Sequence, residues 1–444
     1  MLVERNYVYS PSLGLLAPYT NEEQLSKIVN HFNEREDLYH KLPISYSCQE
    51  QNFFEKYSTS AGINLTSACQ LRCNYCTYKS GEQDITLNEQ DVYAFINFLV
   101  KNLLIKRKVL GENGRLKIYF SGGGEPTYHW DLLKNIVLYI QKTSNKFDIK
   151  YELYITTNGM LNNQQIKFLM ENFTGILISF DGLPDIQGRN RKMPHGFSSF
   201  DVVKNVLDIL NKNNFNFSIR TTIWPHNYFL LNDMAKYIFN TFSNVKKWEI
   251  FPVSQQGRAE NTPTFTKNNT QSISNYSLCE SYLSLLSKLD KKDFNRISIP
   301  LFKNYETLYE CGTAFGNYPW LNSDGKIITC IEAKEKATVL GGVSNGIVTC
   351  NRYIDNLSIE HIKSCNKTCF DCIAYRYCGC GCPLKNSNLE LGSDIQQDWI
   401  CANMKEYWKV VFDNLIERRE FNGWKLYLQG EESNINYYSI ERVL

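Results

Sequence analysis

The amino-acid sequence predicts an α/β fold, in which a partial (β/α)6 barrel is followed by a smaller cysteine-rich domain. Strand and helix patterns alternate from about residue 60 to residue 255 in units of roughly 30 residues, which is typical of parallel βαβ connections. Three cysteines lie between Cys69 and Cys76, directly after the first predicted strand. Five more lie between Cys369 and Cys382, where the alternation has stopped.

The elements of the barrel follow from local patterns. Strands are predicted at residues 63–65, 116–120, 151–155, 176–180, 217–222 and 248–253, where β-branched and aromatic residues cluster. Thr86 and Glu89 are spaced as a capping box, so the first helix of the barrel is predicted to begin there. Apolar spacing predicts later helices at residues 132–140, 164–170, 202–210, 234–242, 276–289 and 399–418. Residues 322–325 predict a hairpin turn before a strand at residues 326–329.

Length and composition predict a folded protein of several segments. The chain has 444 residues, of which 43% are hydrophobic and 21% are charged, which excludes wholesale disorder. We expect an N-terminal extension (1–59), the partial barrel (60–255), a linker with a bridging helix (256–305), a cysteine-rich domain (306–405), and a C-terminal helix and tail (406–444).

Charge and hydropathy exclude several classes of partner. The net charge of +2 provides no global field for nucleic acid. No apolar run approaches the roughly 18 residues that a membrane helix needs, and the N-terminus does not resemble a secretory signal. A cytoplasmic location is therefore expected. Fifteen cysteines are many for a chain in a reducing compartment, and their clustering favours metal binding over disulfides.

The first cysteine group, Cys69, Cys73 and Cys76, has the spacing C-x3-C-x2-C. It follows the first predicted strand, at the edge where barrels carry their chemistry. Three thiolates leave one iron of a 4Fe–4S cluster open to an outside ligand. Zinc is the alternative, but a structural zinc site needs four closed ligands, and no fourth cysteine or histidine lies nearby.

This spacing, with Tyr75 just before the last cysteine, resembles that of the radical S-adenosylmethionine (radical SAM) enzymes. The resemblance implies that SAM binds the open iron and that its cleavage yields a 5′-deoxyadenosyl radical, which abstracts a hydrogen atom from the substrate. It also implies a set of SAM-binding residues at the ends of the strands. These are Tyr75, Gly123, Gly124, Glu125, Asn158, Ser179, Asp181, Arg191 and Arg220. For Arg191 two interpretations stay open: a bidentate contact to the SAM carboxylate, or a solvated loop charge.

The second cysteine set resembles the SPASM extension of radical SAM enzymes. The resemblance implies two auxiliary 4Fe–4S clusters, hence three clusters in all. The inner auxiliary cluster would be bound by Cys311, Cys330 and Cys382. The outer one would be bound by Cys369, Cys372, Cys378 and Cys401.

The inner cluster departs from the family pattern, because no cysteine occurs in residues 303–309. Its fourth position is either open to substrate or filled by water or by another cysteine, in which case the cluster only carries electrons. The candidate cysteines are Cys279, Cys350, Cys365 and Cys380. Cys48 is interpreted as a small buried hydrophobe.

The resemblance leaves the reaction open between two peptide modifications. One installs a crosslink in a ribosomally made precursor peptide; carbon–carbon or ether links on aromatic residues, as in cyclophane and darobactin types, are preferred over thioethers because few residues precede Cys69. The other is formylglycine formation in sulfatases, whose maturases carry an Asp after the inner-cluster cysteine. Here Cys330 is followed by Ile331 and Glu332, which counts against it.

A non-enzymatic iron–sulfur or zinc protein is the remaining alternative, and it does not explain the motifs at the strand ends. The expected partners are a peptide substrate and an electron donor such as flavodoxin or ferredoxin. No catalytic acid or base is assigned.

Overall fold

The computed structural model describes most of the chain. The described residues are 2–4, 6–10, 13, 15–41, 58–111, 114–224, 226–253, 257–259, 275–299, 318–331, 339–351, 372–374, 395–421, 424–432 and 435–442. Among them, no helix combines the length and the apolar character that crossing a membrane requires.

The chain opens with a small antiparallel sheet and a helix. These elements are β1 (Leu2–Glu4), β2 (Tyr7–Ser10), β3 (Leu15–Pro18) and α1 (Glu22–Lys41). Ile28 and Phe32 of α1 pack against Val8 and Ala17 of the strands in a core of their own. The N-terminal segment therefore carries regular structure where the sequence indicated only an extension.

Six parallel strands form the partial barrel in the order in which they occur along the chain. They are β4 (Ser60–Ile63), β5 (Arg115–Phe120), β6 (Lys150–Thr157), β7 (Gly175–Ser179), β8 (Phe217–Ile223) and β9 (Val245–Pro252). All six predicted strands are present, although β4 begins three residues before its predicted start. The intervening helices are α2 (Glu89–Leu110), α3 (Trp130–Lys146), α4 (Asn163–Asn172), α5 (Pro184–Asn190), α6 (Phe200–Lys212) and α7 (Leu231–Thr241).

The predicted capping box at Thr86 and Glu89 is wrong. Helix α2 is capped by Asn88, whose side chain accepts a hydrogen bond from the Gln90 N–H at 2.8 Å. The Thr86 hydroxyl instead lies 2.7 Å from that of Thr66, across an isolated antiparallel bridge. Two capping residues two positions apart satisfy the same local rule, and the tertiary contact to Thr66 decides between them.

Burial alternates along the barrel strands. In β8, Phe217, Ile219 and Ile223 are buried in the core that the strands share with the helices. Ser218, Arg220 and the facing residues Leu177, Ser179 and Glu249 are half-buried. One face of the sheet therefore packs on helices, whereas the opposite face lines the partly accessible interior of an open barrel.

Two helices follow the barrel, α8 (Asn275–Lys288) and α9 (Lys291–Arg296). Later strands then extend the same sheet at both edges: β10 (Ile297–Ser298), β11 (Trp320–Leu321), β12 (Lys326–Ile328), β13 (Val339–Ser344) and β14 (Ile347–Cys350). Strand β10 adds in parallel to β9, and β11 adds in parallel to β4, which gives eleven strands among the described residues. The turn predicted at residues 322–325 is confirmed between β11 and β12, with Gly325 at φ +81°.

The C-terminal segment forms a helix and a hairpin: α10 (Ile395–Arg418), β15 (Glu420–Phe421), β16 (Trp424–Glu432) and β17 (Ile435–Arg442). Strand β17 pairs with β3, so both ends of the described chain share one six-stranded sheet. The tail was not predicted as strands. Strand β17 pairs with the adjacent β16 and also with β3, which lies more than 400 residues away.

Candidate functional site

The residues after β4 form a loop at the carboxyl edge of the parallel sheet, here called the cluster loop (residues 69–82). Arg72 braces it, because its Nη1 donates to the Cys69 carbonyl at 2.6 Å and its Nη2 donates to the Gly81 carbonyl at 2.6 Å. Gly81 has φ +82°, and a Cβ atom there would collide with the Arg72 guanidinium. The three cysteines of the predicted motif thus lie on one internally braced loop.

Cys69, Cys73 and Cys76 are free thiols and half-buried. The Leu71 N–H donates to Cys69 Sγ at 3.4 Å, and the Ser80 N–H donates to Cys76 Sγ at 3.3 Å. Hydrogen bonds to sulfur are one of the means by which proteins tune iron–sulfur clusters. Burial raises the pKa of Cys69 to about 12 and that of Cys73 to about 11.

The donor set fits a cluster with three protein ligands. Thiols with raised pKa values are neutral without metal, so binding iron must displace their protons. Within the described residues, no three His, Cys, Asp or Glu side chains lie close enough together to hold a metal ion. The fit rests on the type of ligand, their shared loop and the N–H donors directed at the sulfur atoms.

The glycine motif after β5 lies directly on the segment that precedes the cluster loop. A Cβ atom on Gly123 would collide with the Asn64 side chain, and one on Gly124 would collide with the carbonyl oxygens of Thr66 and Ala68. The Glu125 N–H donates to the Ala68 carbonyl at 2.8 Å. The glycines therefore allow two neighbouring loops to meet at the carboxyl edge.

Glu125, predicted to contact SAM, is buried and already bound by the chain itself. Its Oε1 accepts from the hydroxyl groups of Thr127 and Thr157, both at 2.7 Å, and its Oε2 accepts from the Asn158 N–H at 2.7 Å. Burial raises the pKa of this carboxyl group, and the hydrogen bonds oppose the rise. Glu125 joins the ends of β5 and β6, and Asn158 Nδ2 reaches Cys69 Sγ at 3.5 Å.

Asp181 is the hub of the site. Its side chain is fully buried, and its Oδ2 accepts from the Tyr75 hydroxyl at 2.7 Å and from Asn190 Nδ2 at 3.1 Å. Its Oδ1 accepts from Arg191 Nε at 3.2 Å and from the Thr222 N–H at 3.1 Å. Four hydrogen bonds from three segments converge on one carboxylate, which ties the cluster loop to β8 and to the end of α5.

For Arg191 the interpretation as a solvated loop charge is wrong. Its side chain is 8% exposed, pairs with Asp181 and lies 5.2 Å from the centre of the Tyr75 ring. Among the described residues, only its Nε has a hydrogen-bond acceptor, and its two Nη groups have none. A buried guanidinium with a free fork is suited to bind a carboxylate.

Arg220 and Ser179 are neighbours on the inner face, opposite each other in β8 and β7. Both Nε and Nη2 of Arg220 donate to Glu249 Oε2, at 2.9 and 2.8 Å, and the guanidinium lies 4.7 Å from the Phe251 ring centre. The charge of Arg220 is therefore already paired before any ligand binds.

Several contacts of the site were not predicted from the sequence. Trp224 packs beside Tyr75, with ring centres 5.8 Å apart, and His226 follows at 5.5 Å from Trp224. His226 Nε2 lies 3.0 Å from Asn190 Oδ1, which links it to the Asp181 hub. The sequence carried no signal for this aromatic group, because it depends on the path of the chain after β8.

The loss of folding stability at low pH is expected to depend in part on His226. Burial lowers its pKa to about 4, so between pH 6.5 and 4 the folded state binds fewer protons than the unfolded state and loses stability as the pH falls. His226→Gln is expected to remove about 1 kcal/mol of this acid sensitivity, since the ring is half-exposed and partly screened. Unfolding midpoints at pH 7 and pH 5 measure it. The exposed His195 is the control, and an equal effect of His195→Gln would contradict the assignment.

Cys330 lies beside the cluster loop. The Tyr78 hydroxyl donates to the carbonyl oxygen of the adjacent Ile331. Ile331 is buried, and a Cβ atom on Gly122 would collide with its side chain. The residue after Cys330 is thus an apolar plug against the glycine motif.

The other predicted cluster ligands are only partly described. Cys372 is half-buried and Cys401 lies in α10. Cys311, Cys369, Cys378 and Cys382 lie outside the described residues, as do Cys48, Cys365, Cys380 and Glu332. Cys279 is buried and Cys350 is half-buried. The ligand sets of the two auxiliary clusters therefore stay predictions.

The barrel segment matches a known protein family. The model of the "Radical SAM superfamily" matches residues 63–238. A cysteine-type anaerobic sulfatase-maturating enzyme of Clostridium perfringens is 25% identical over 373 residues, which cover 79% of this chain and 95% of the relative. The enzyme of that name from Clostridium novyi is 29% identical over 162 residues, 36% of this chain and 41% of the relative.

A solved structure shares the fold. It is native anSMEcpe with bound AdoMet (SAM), with a TM-score of 0.60 and 21% identity over 81% of this chain and 98% of that one. The predicted radical SAM α/β fold is thereby confirmed. The matched segment contains the cluster loop, the glycine motif and the Asp181 hub, so residues 63–238 form a radical SAM domain.

Proposed function

We propose that the chain is a radical SAM peptide maturase that abstracts a hydrogen atom from a precursor peptide and installs a crosslink. The observation that carries the proposal is the meeting of the three-thiol cluster loop, the glycine motif and the Asp181–Arg191 pair at one edge of the parallel sheet. When bound there, a 4Fe–4S cluster with SAM supplies a carbon-centred radical. A cytoplasmic location and a flavodoxin or ferredoxin as electron donor belong to the same proposal.

The chain's own residues divide the work of binding. Cys69, Cys73 and Cys76 would hold the cluster. Arg191 is a candidate for the SAM carboxylate, because its free Nη fork lies beside Tyr75 on the cluster loop. The other residues proposed to contact SAM are Tyr75, Gly123, Gly124, Glu125, Asn158, Ser179, Asp181 and Arg220. Of these, Asp181 is proposed to act by positioning the loops around SAM, since each of its oxygens already accepts two hydrogen bonds.

The inner face of the barrel supports a substrate with bulky side chains. Tyr119 and Tyr154 stack with their ring centres 4.5 Å apart, and burial together with the Glu152 contact raises the pKa of Tyr154 to about 12. The next inward positions toward the carboxyl edge are the small residues Ser121 and Thr156. Small side chains above an aromatic floor leave room for a peptide side chain, and an aromatic one would stack on that floor.

The auxiliary clusters are the second part of the proposal. Cys330 lies beside the cluster loop through the Tyr78–Ile331 contact, which supports an inner cluster near the reacting centre. We propose Cys311, Cys330 and Cys382 as its ligands, and Cys369, Cys372, Cys378 and Cys401 as those of the outer cluster. Residues 306–405 would then form a SPASM domain.

Formylglycine formation is the second candidate, because the relative that spans most of this chain is a sulfatase-maturating enzyme. One feature favours the crosslink. Sulfatase maturases of this type carry an Asp directly after the inner-cluster cysteine. Here Ile331 follows Cys330, and its buried side chain fills the space above Gly122. A carboxylate base is therefore missing from that position.

The test is anaerobic turnover with reductant and SAM, using two substrates in parallel. One is a peptide encoded by a short reading frame beside the gene, and the other is the Kp18Cys peptide, which native anSMEcpe binds. A peptide that loses two hydrogen atoms supports crosslinking, whereas conversion of the cysteine to an aldehyde supports the second candidate. About 12 iron atoms per chain are expected. Zinc without formation of 5′-deoxyadenosine would contradict both candidates.

A further inference from the structure

The short 3₁₀ turn Gly257–Ala259 follows β9 and lies on the cluster loop; we call it the clasp. Strands β4 and β9 are not neighbours in the sheet, since β4 pairs with β5 and β11 while β9 pairs with β8 and β10. Strand pairing therefore does not close the described barrel. The clasp brings the chain after the sixth barrel strand against the loop after the first, at the edge that carries the cysteines.

Arg258 makes the main contacts of the clasp. Its Nη1 donates to the Cys73 carbonyl at 3.2 Å, and its Nη2 donates to the Ser80 carbonyl at 2.7 Å. Its Nε pairs with Glu82 at 3.1 Å, and its backbone N–H donates to the Cys76 carbonyl at 3.0 Å. Each nitrogen of the guanidinium thus holds a different residue of the cluster loop, and the side chain is only 17% exposed.

Gly257 lets the clasp approach so closely. It has φ +64°, and a Cβ atom there would collide with the carbonyl oxygens of Cys76 and Thr77. On its other side, Ala259 is buried in a small core with Trp224 and Val253, against which Tyr75 packs. The clasp is therefore anchored in the barrel and is not a surface contact of one flexible arginine.

We propose that Arg258 is a positioning residue for the cluster: it fixes the loop that carries the three cysteines, and its charge favours the reduced cluster. This inference rests on the cluster binding in the proposed function. Reduction adds a negative charge near Cys73 and Cys76, and a largely buried guanidinium held on this loop stabilises that charge more than water does. Its Glu82 partner is exposed and offsets the charge only in part.

The test compares three variants of the reconstituted holoenzyme. Arg258→Met removes both the charge and the fork, whereas Arg258→Lys keeps the charge and loses the fork. Arg296→Met is the matched control, because Arg296 is 13% exposed and also contacts a backbone carbonyl, that of Val245, away from the cysteines. The readouts are the midpoint potential of the SAM cluster, followed by electron paramagnetic resonance, and hydrogen exchange of residues 69–82.

In Arg258→Met we expect the equilibrium constant for reduction of the cluster to fall about tenfold, which lowers the midpoint potential by ~59 mV for a one-electron couple. Hydrogen exchange of residues 69–82 should become faster. Arg258→Lys should keep the potential and still exchange faster, and Arg296→Met should change neither readout. Unchanged exchange in both Arg258 variants, or equal potentials in Arg258→Met and Arg296→Met, would overturn the inference. If Arg258→Met binds no cluster, hydrogen exchange of residues 69–82 in Arg258→Lys is the test: faster exchange supports the inference, and unchanged exchange contradicts it. If the wild-type chain binds no iron, the proposed function itself fails.

Discussion

Replacing Cys69, Cys73 and Cys76 together by alanine is expected to abolish the formation of 5′-deoxyadenosine from SAM. The loop would keep its shape, because Arg72 and Arg258 hold backbone carbonyls and not the sulfur atoms. Without thiolates the loop offers no iron ligand, so about four iron atoms per chain should be lost, whereas iron in the proposed auxiliary clusters should remain. The measurements are iron content and chromatography of the nucleoside product under anaerobic reduction.

The control for the cysteine variant is Cys279→Ala. Cys279 is buried in α8 and away from the cluster loop, so its loss should reduce stability by about 1 kcal/mol and leave SAM cleavage intact. Cleavage that persists in the triple variant would show that another set of ligands holds the reactive cluster. Loss of cleavage in Cys279→Ala at full stability would point to Cys279 as the fourth ligand of the proposed inner cluster.

The barrel could be predicted because its signals are local. Strands β5 to β8 have buried residues at alternate positions, and helices such as α6 have apolar spacing, so the pattern appears in a window of a few residues. The sheet that joins β3 to β17 could not be predicted in this way. Strands β1, β2, β3 and β15 are short, and the pairing of β17 with β3 joins residues at opposite ends of the chain.

In the candidate site, too, the local motifs could be predicted and the contacts between distant residues could not. The cysteine spacing and the glycine motif are local, and the structure brings them to neighbouring loops. What the sequence did not indicate is that the polar residues bind one another: Glu125 holds Asn158, and Asp181 holds both Tyr75 and Arg191. Arg258 carried no motif, and its role follows only from the path of the chain after β9.

The largest loss of stability is expected from Asp181→Asn. The substitution keeps the shape of the side chain but removes its charge, which leaves the Arg191 guanidinium buried without a counter-charge. It also turns one acceptor into a donor that faces the Tyr75 hydroxyl and Asn190 Nδ2. Breaking a buried pair from one side costs about 3–5 kcal/mol. Urea unfolding followed by tryptophan fluorescence measures it, and SAM cleavage is expected to fall with it because the cluster loop loses its anchor.

Two further variants separate charge from packing. Glu249→Gln breaks the half-exposed pair with Arg220 and should cost no more than about 1 kcal/mol. Asp181→Leu combined with Arg191→Met removes both buried charges, so it should be more stable than Asp181→Leu alone while SAM cleavage stays low. If the double variant is as unstable as the sum of the single variants, the hub is held by its separate hydrogen bonds and not by the ion pair. If it cleaves SAM like the wild-type chain, the link from Asp181 through Tyr75 to the cluster loop does not position the site.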